Sequence, residues 1–244
     1  MVSVLPQLQV LKGAAVDFLF PRFCVGCGKE GTFICNSCEI ELPRIEAPFC
    51  QKCGQPLTGG SGFSLAPPSF CPECANWESD IDGIRSPFRF EGVIRKAVHE
   101  FKYRNLRAVA GQLAQLMGDY LSTAGIPFDV IVPVPLHPKR LRERGYNQSL
   151  LLAGELGKIT GFPVNDTGLV RKIYNLPQAR THSVAERRQN VIGIFAGVGE
   201  DLLAKKVLLV DDVTTSGATL NACAAALKTA GAASVWGLTL AREI

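Results

Sequence analysis

Two hydrophobic patterns alternate through residues 86–241: short apolar runs, and longer stretches in which apolar side chains return every three or four positions. They predict strands at residues 86–91, 130–134, 206–210 and 234–241, and helices at residues 93–103, 106–122, 147–159 and 219–229, the last ended by Gly231. Val207, Leu208, Leu209 and Val210 form an unbroken apolar run, which suits a strand buried on both faces. Strands that alternate with helices imply an α/β domain, a parallel sheet with helices on both faces. Near the start, Leu5, Leu8, Leu11, Ala14, Ala15, Phe18 and Leu19 fall at near-helical spacing, while Gln7, Gln9, Lys12 and Asp17 interrupt the stripe. A short amphipathic helix packed on the protein is expected there, rather than a signal sequence or a membrane span.

The strand predicted at 206–210 runs into Asp211, Asp212, Val213, Thr214, Thr215, Ser216, Gly217, Ala218 and Thr219, just ahead of an Ala-rich helix. Open α/β sheets bind ligands at the carboxyl ends of their strands, so this acid pair is expected at a crevice. Small side chains at a helix start leave backbone N–H groups to a dianionic phosphate, and the helix dipole favours the charge. Thr214, Thr215, Ser216, Gly217, Ala218 and Thr219 are therefore candidate phosphate ligands. Asp211 and Asp212 only accept hydrogen bonds when ionised, which suits the vicinal hydroxyls of a ribose better than the phosphate. A plain strand end and helix cap would not need the whole hydroxyl-rich loop. A Walker A loop is excluded, because the Gly-x-x-x-x-Gly-Lys spacing is missing.

A second segment points the same way. The strand at 130–134 stops where Pro133 and Pro135 remove ladder donors, and residues 136–148 read as a loop leading into a helix. Lys139, Arg140, Arg142 and Arg144 put four cations within six positions of that loop. Guanidinium forks match phosphate oxygens two at a time. A charge run by itself is usually a solvated face; beside a ribose-phosphate grip it is a candidate phosphate site.

The run from Val207 to Thr219 resembles the phosphoribosyl-pyrophosphate (PRPP) motif of type I phosphoribosyltransferases, in which strand, acidic pair and small-residue loop follow in this order. The resemblance implies that Asp211 and Asp212 hold the ribose hydroxyls, that Thr214 to Thr219 hold the 5′-phosphate, and that Mg²⁺ bridges ribose and pyrophosphate. It also implies a pyrophosphate loop after an earlier strand, here with Arg140 and Arg144, and a flap, for which the aperiodic, polar stretch 171–190 is the candidate. More narrowly, Pro133-Val-Pro-Leu136 with Arg140, and Arg144-Gly-Tyr-Asn-Gln148, resemble the ComF family, which is tied to natural transformation and DNA uptake. Lys102-Tyr103 and Pro177-Gln178 with Arg187 and Asn190 also look like that family, the last with spacing shifted by about one residue and with Thr181 where an apolar residue is common.

Eight of the nine cysteines form four Cys-x-x-Cys pairs: Cys24 and Cys27, Cys35 and Cys38, Cys50 and Cys53, Cys71 and Cys74. Two intervening residues let a turn aim both sulfurs at one ion, and Gly28 and Gly54 let the chain fold back. Eight thiolates suit two tetrahedral, structural Zn²⁺ sites. A disulfide framework is the alternative, and the lack of a secretory leader pattern argues for reduced thiols and a cytoplasmic protein. Pairs that share a site in sequence and pairs that interleave are both open, and the short gap from Cys27 to Cys38 favours the sequential choice. That layout resembles the double zinc ribbon that opens ComF-type proteins. Cys223 lies among alanines, where a buried, inert thiol is expected.

A chain of 244 residues has room for a metal-stapled module at 1–80 and a phosphoribosyltransferase-like domain at 81–244, with the Gly-, Ser- and Pro-rich stretch 59–68 as a loop inside the second ribbon. A formal net charge of +4 is too small to argue for nucleic acid. His99 and His137 have no ligand-spaced neighbours, and His182 lies in the polar flap stretch, so none is expected to be catalytic. The resemblance implies an enzyme that binds Mg²⁺ and PRPP and transfers ribose phosphate to an unnamed acceptor. Beside it stands a non-catalytic accessory protein of competence that binds single-stranded DNA or senses PRPP, with competence-machinery proteins as partners and no membrane insertion.

Overall fold

A computed structural model describes residues 21–57, 69–172 and 193–244. In chain order its elements are α1 (Asn36–Ile40), α2 (Pro72–Ala75), β1 (Gly83–Arg85), β2 (Phe88–Arg89), α3 (Gly92–Tyr103), α4 (Ala110–Ala124), β3 (Val130–Pro133), α5 (Pro138–Arg144), α6 (Gln148–Thr160), β4 (Leu169–Arg171), β5 (Phe195–Gly197), β6 (Lys206–Thr214), α7 (Ala218–Thr229) and β7 (Ser234–Arg242). The main sheet is parallel in the order β1-β7-β6-β3, with β2 also on β7. This is the α/β, type I phosphoribosyltransferase-like arrangement, with two cysteine-rich ribbons ahead of it.

The period of two in β6 decides where each side chain goes. Leu208 and Val210 join Ile131, Leu238 and Leu240 under α3, α4 and α6, against Phe101, Met117, Leu152 and Leu156. Val207 and Leu209 face the other way, onto Leu220, Cys223 and Leu227 of α7. Each fully buried Val, Leu, Ile, Phe or Met side chain among these contributes about 1.5–3 kcal/mol, so the two-sided sheet supplies most of the core. Cys223 lies among them, buried by apolar neighbours with its thiol pushed well above its ordinary range by burial.

Four expectations change. Of the strand expected at 86–91 only β2 (Phe88–Arg89) forms; β1 lies just ahead of it, and Ser86 and Pro87 separate the two. Ser86 turns inward to share a 2.7 Å hydrogen bond with the Thr239 hydroxyl, and Pro87 has no N–H for the ladder. The segment expected as a loop at 136–148 contains α5, seated by Pro138 at its first turn, by the His137 ring accepting from the Lys139 N–H at 3.1 Å, and by Gly145 at φ +80. Strand β6 also runs four residues past Val210, because Asp211, Val213 and Thr214 keep register with Thr239, Ala241 and Arg242 of β7. The helix expected at 106–122 opens as a 3-10 turn at Arg107–Val109 before α4. The amphipathic helix of the first twenty residues, the loop at 59–68 and nearly all of the flap stretch lie outside the described residues. At the root of that stretch β4 and β5 pair as an antiparallel ladder, Leu169 with Gly197 and Arg171 with Phe195.

The ribbons repeat one local plan. In each, a first knuckle closes with a glycine N–H donating to the leading cysteine's carbonyl, Gly28 to Cys24 and Gly54 to Cys50, both at 2.8 Å and both with φ above +70. The second cysteine pair starts a short helix, α1 or α2, from Cys35 or Cys71. The first ribbon docks on α4 through reciprocal bonds between Ile34 and the Gln112 amide, at 2.9 and 2.6 Å. The second docks on β1 and β7. Ile84 N–H donates to the Lys52 carbonyl at 2.8 Å, and Arg242, only 3% exposed, donates from Nη1 to the Cys53 carbonyl at 2.8 Å.

Arg242→Ala should leave the buried Cys53 carbonyl without its charged donor and cost about 2 kcal/mol of unfolding free energy. Denaturant unfolding measures that loss, and faster amide exchange at residues 50–57 than in α4 would localise it to the second ribbon.

Candidate functional site

Each ribbon gathers four sulfurs. The Sγ atoms of Cys24, Cys27, Cys35 and Cys38 lie within 4.8 Å of one another, as do those of Cys50, Cys53, Cys71 and Cys74. The grouping is the sequential one. Cys27 and Cys35 sulfurs are 3.6 Å apart and those of Cys53 and Cys71 are 3.7 Å apart. A tetrahedron of thiolates at the usual Zn–S length has edges of about 3.8 Å, so both sets fit Zn²⁺, with four protein ligands and no vertex left for substrate. Burial opposes charge on Cys24, but the backbone N–H groups of Cys35, Cys27 and Gly26 outweigh it and bring the thiol down to about 6. The Cys74 thiol, against opposing burial and with help from the Arg242 charge, brings Cys53 down to about 5. The packing is tight. A Cβ on Gly26 would come within 2.6 Å of the Cys38 sulfur.

The acid pair sits in the last turns of the central strand. Asp211 is half-buried and Asp212 is buried. Two groups hold them. The Ser149 hydroxyl, in the first turn of α6, donates to Asp211 Oδ1 at 2.7 Å, and the Asp212 N–H donates to the same oxygen at 2.9 Å. Lys102, from the end of α3, lies 2.8 Å from Asp212 Oδ1. Burial first, then the neighbouring Asp212 charge, raises the Asp211 carboxyl to about 6 despite the Ser149 and Lys102 contacts. Beyond Thr214 the chain turns at Gly217, φ +76, which caps α7. A Cβ there would lie 2.7 Å from Ile84 and 3.6 Å from the Trp77 ring, so the loop is pressed against the second ribbon's neighbourhood. Thr214, Ser216 and Ala218 are buried in it; Thr215 and Thr219 are half-buried.

Arg140 and Arg144 lie together. With Lys102, Tyr103, Glu143 and Tyr146 they line a cavity of about 550 Å³, and the Arg144 guanidinium sits 5.4 Å over the Tyr103 ring. Lys102 therefore joins the two predicted clusters, bonded to one acid and facing the cationic cavity. Of the other two cations of the run, Lys139 gives its backbone N–H to the His137 cap, and neither Lys139 nor Arg142 lines that cavity.

Lys102 and Ser149 were missed as supports of the acid pair. Ser149 follows Asn147, whose side chain caps α6 by accepting from the Ser149 N–H at 3.0 Å, and a Ser in that first turn was the one signal available. Lys102 is 110 positions from Asp212, and no spacing rule joins them. His99 is exposed, 4.9 Å from the Tyr103 ring, and His137 is a helix cap. His182 lies outside the described residues.

Comparison with known proteins matches residues 15–75 to the double zinc ribbon domain and residues 147–243 to the phosphoribosyl transferase domain. Lys102, Arg140 and Arg144 precede the second match. The chain is 29% identical over 236 residues to competence protein F of Haemophilus influenzae, covering 89% of this chain and 96% of that protein. It is 28% identical over 221 residues to competence protein ComFC of Bacillus subtilis, covering 86% and 84%, and 28% identical over 216 residues to DNA utilization protein YhgH of Salmonella typhi, covering 86% and 91%. No helix among the described residues is long and apolar enough to cross a membrane.

Two measurements follow from this geometry. Cys27→Ser and Cys53→Ser should each release about one equivalent of zinc and leave the other bound, read by metal analysis of the intact chain. The Asp211 carboxyl has a raised pKa, so its contribution to stability is fully present below about pH 4 and is lost as pH rises through about 6. Asp211→Asn keeps the Oδ1 acceptor and drops the charge; its melting temperature should exceed the parent's at pH 8, with the gap closing toward pH 4. An equal gap at both pH values would sink that account.

Proposed function

We propose that this chain, which belongs to the ComF family of proteins with a double zinc ribbon ahead of a phosphoribosyl transferase domain, binds PRPP with Mg²⁺ and transfers its ribose 5-phosphate to a nucleophile. The observation that carries the reading is the Lys102 bridge. It connects an acid pair beside a small-residue loop to a cavity bearing Arg140 and Arg144. In this reading Asp211 and Asp212 accept the ribose 2′ and 3′ hydroxyls, and Thr214, Thr215, Ser216, Gly217, Ala218 and Thr219 hold the 5′-phosphate at the start of α7.

As the C1–O bond breaks, pyrophosphate leaves with both electrons and positive charge grows at C1. Arg140, Arg144 and Lys102 offset the charge collecting on the leaving group, and Mg²⁺ bound with the substrate adds to that neutralisation. The acceptor's lone pair forms the new bond to C1, and its proton passes to the departing pyrophosphate or to water. The acid pair and the loop hold C1 in line between the two. The ribbons are structural in this scheme.

The relatives' names, competence and DNA utilization, favour a second reading, in which the site serves DNA uptake as a sensor or single-strand contact. Exposed Arg104 and Arg107 extend the cationic surface beside α5 and suit phosphates along a strand.

Isothermal calorimetry with Mg²⁺ and PRPP separates these. Asp211→Asn combined with Asp212→Asn should weaken PRPP by more than about tenfold, and the parent's affinity should fall below pH 6 as Asp211 takes up its proton. Unchanged affinity in the double variant defeats the ribose role. Acceptor-dependent release of pyrophosphate supports transfer; tight binding without turnover, with single-stranded DNA competing, supports the sensor.

A further inference from the structure

The two ribbons share a plan but not an exposure. In the second, all four cysteines are buried, none more than 2% exposed, with Leu57 and Trp77 packed against them. In the first, Cys24 and Cys38 are buried, Cys35 is half-buried and Cys27 is exposed. Gly28 to Thr32, which follow Cys27, and Asn36 and Ser37, which follow Cys35, are exposed as well, so both sulfurs are reached from an open side of the ribbon. Sulfur spacing does not separate the two sites, since Cys27 and Cys35 at 3.6 Å are as near as Cys53 and Cys71 at 3.7 Å. Access does. A thiolate open to solvent reacts with oxidants, and a buried one is inert.

We infer that Cys27 and Cys35 form an oxidative modification site whose co-reactant is a hydroperoxide, and that the first ribbon alone gives up its zinc there. The Cys27 sulfur attacks one peroxide oxygen, the O–O bond breaks, and hydroxide leaves. The Cys35 thiolate then attacks the Cys27 sulfenic acid, forming the S–S bond and expelling a second hydroxide. Two thiolates have lost two electrons, two protons from solvent turn the hydroxides into water, and Zn²⁺ leaves the two thiolates that remain, Cys24 and Cys38. The change has a place to be felt. Ile34 immediately precedes Cys35, and its N–H and carbonyl are the groups locked to the Gln112 amide of α4. The Cys35 N–H is held by the Cys24 sulfur at 3.4 Å, and the Phe33 carbonyl accepts from the Val25 N–H at 2.9 Å. Drawing the sulfurs from 3.6 Å to a bond of about 2.05 Å, with the metal gone, pulls this segment off α4. Phe23 and Phe33 of the same ribbon line, with Lys102, a second cavity of about 900 Å³, which the movement would open. The first ribbon is then a detachable cover and the second a permanent one. Zinc in the ribbons is required for this, and the transferase reading is not.

The test treats the full zinc-loaded chain with hydrogen peroxide, reading freed zinc with a chromogenic chelator and the cysteines by peptide mass mapping. About one equivalent of zinc should be released while the other stays, with a disulfide between Cys27 and Cys35 and with Cys50, Cys53, Cys71 and Cys74 still reduced. Hydrogen exchange at the Ile34 N–H should quicken by roughly tenfold in the oxidised chain, and a dithiol with added zinc should restore it. Cys27→His keeps a four-ligand zinc set of three cysteines and one histidine without the open sulfur, so its first zinc should leave roughly tenfold more slowly under the same peroxide. Loss of both ions together, oxidation of the second ribbon first, or no release at all overturns the modification site. Release with unchanged exchange at Ile34 overturns the detachment. Should Cys27→His fail to hold its zinc, the cysteine map of the parent decides by itself.

Discussion

Two carboxylates on adjacent residues, drawn into the end of a central strand, repel each other and lose water, and the rest of the site is arranged around keeping them there. Main-chain register forces the position: β6 stays paired to β7 through Asp211, so neither acid can swing out without breaking the ladder. Ser149 from α6 and Lys102 from α3 answer the charge from two helices of the same face of the sheet. The remaining cost shows in the raised Asp211 carboxyl. Burying like charges side by side lowers stability, and in the proposed reading ligand hydroxyls and cations relieve that penalty.

The ribbons carry more than their own fold. A 30-residue segment cannot bury enough apolar surface to hold itself, so thiolate–metal bonds take the place of a core. What the metal fixes is then passed on by contact. In the second ribbon the knuckle carbonyls of Lys52 and Cys53 bind Ile84 and Arg242, and Ile84 with Trp77 presses on Gly217 in the small-residue loop. In the first, Ile34 locks to Gln112 and Phe23 and Phe33 face the cavity beside Lys102. The two ribbons, alike in plan, thus meet different halves of the same crevice.

Much of this was legible in the sequence because the signals were local. The fourfold Cys-x-x-Cys spacing and the apolar run into Asp211-Asp212 and Thr214 to Thr219 each sit within a few residues, and short-range geometry delivers them. The helices at 93–103, 147–159 and 219–229 came out within a residue or two at each end, since each has a long amphipathic period. What stayed hidden depends on tertiary contact. Nothing near Lys102 announces Asp212, nothing near Cys53 announces Arg242, and the three-residue β4 and β5 are too short to show any period. The extension of β6 through polar Asp211 and Asp212 contradicts strand propensity, and pairing with β7 overrides it.

The hidden helix α5 explains which cations matter. As a loop, residues 139–144 would offer four interchangeable charges; as a helix they are sorted by a period of 3.6. Arg140 and Arg144, four apart, share one face and line the cavity with Lys102, while Lys139 and Arg142, three apart, fall elsewhere. Seven residues are too few to hold a helix by propensity, and like charges four apart cost a few tenths of a kcal/mol. The His137 cap, the Gly145 turn and the Arg144–Tyr103 stack offset that weakness. An anion seated between Arg140, Arg144 and Lys102 would remove the repulsion altogether. On the proposed reading, helix formation and diphosphate binding would be coupled, with α5 firmest when the cavity is filled.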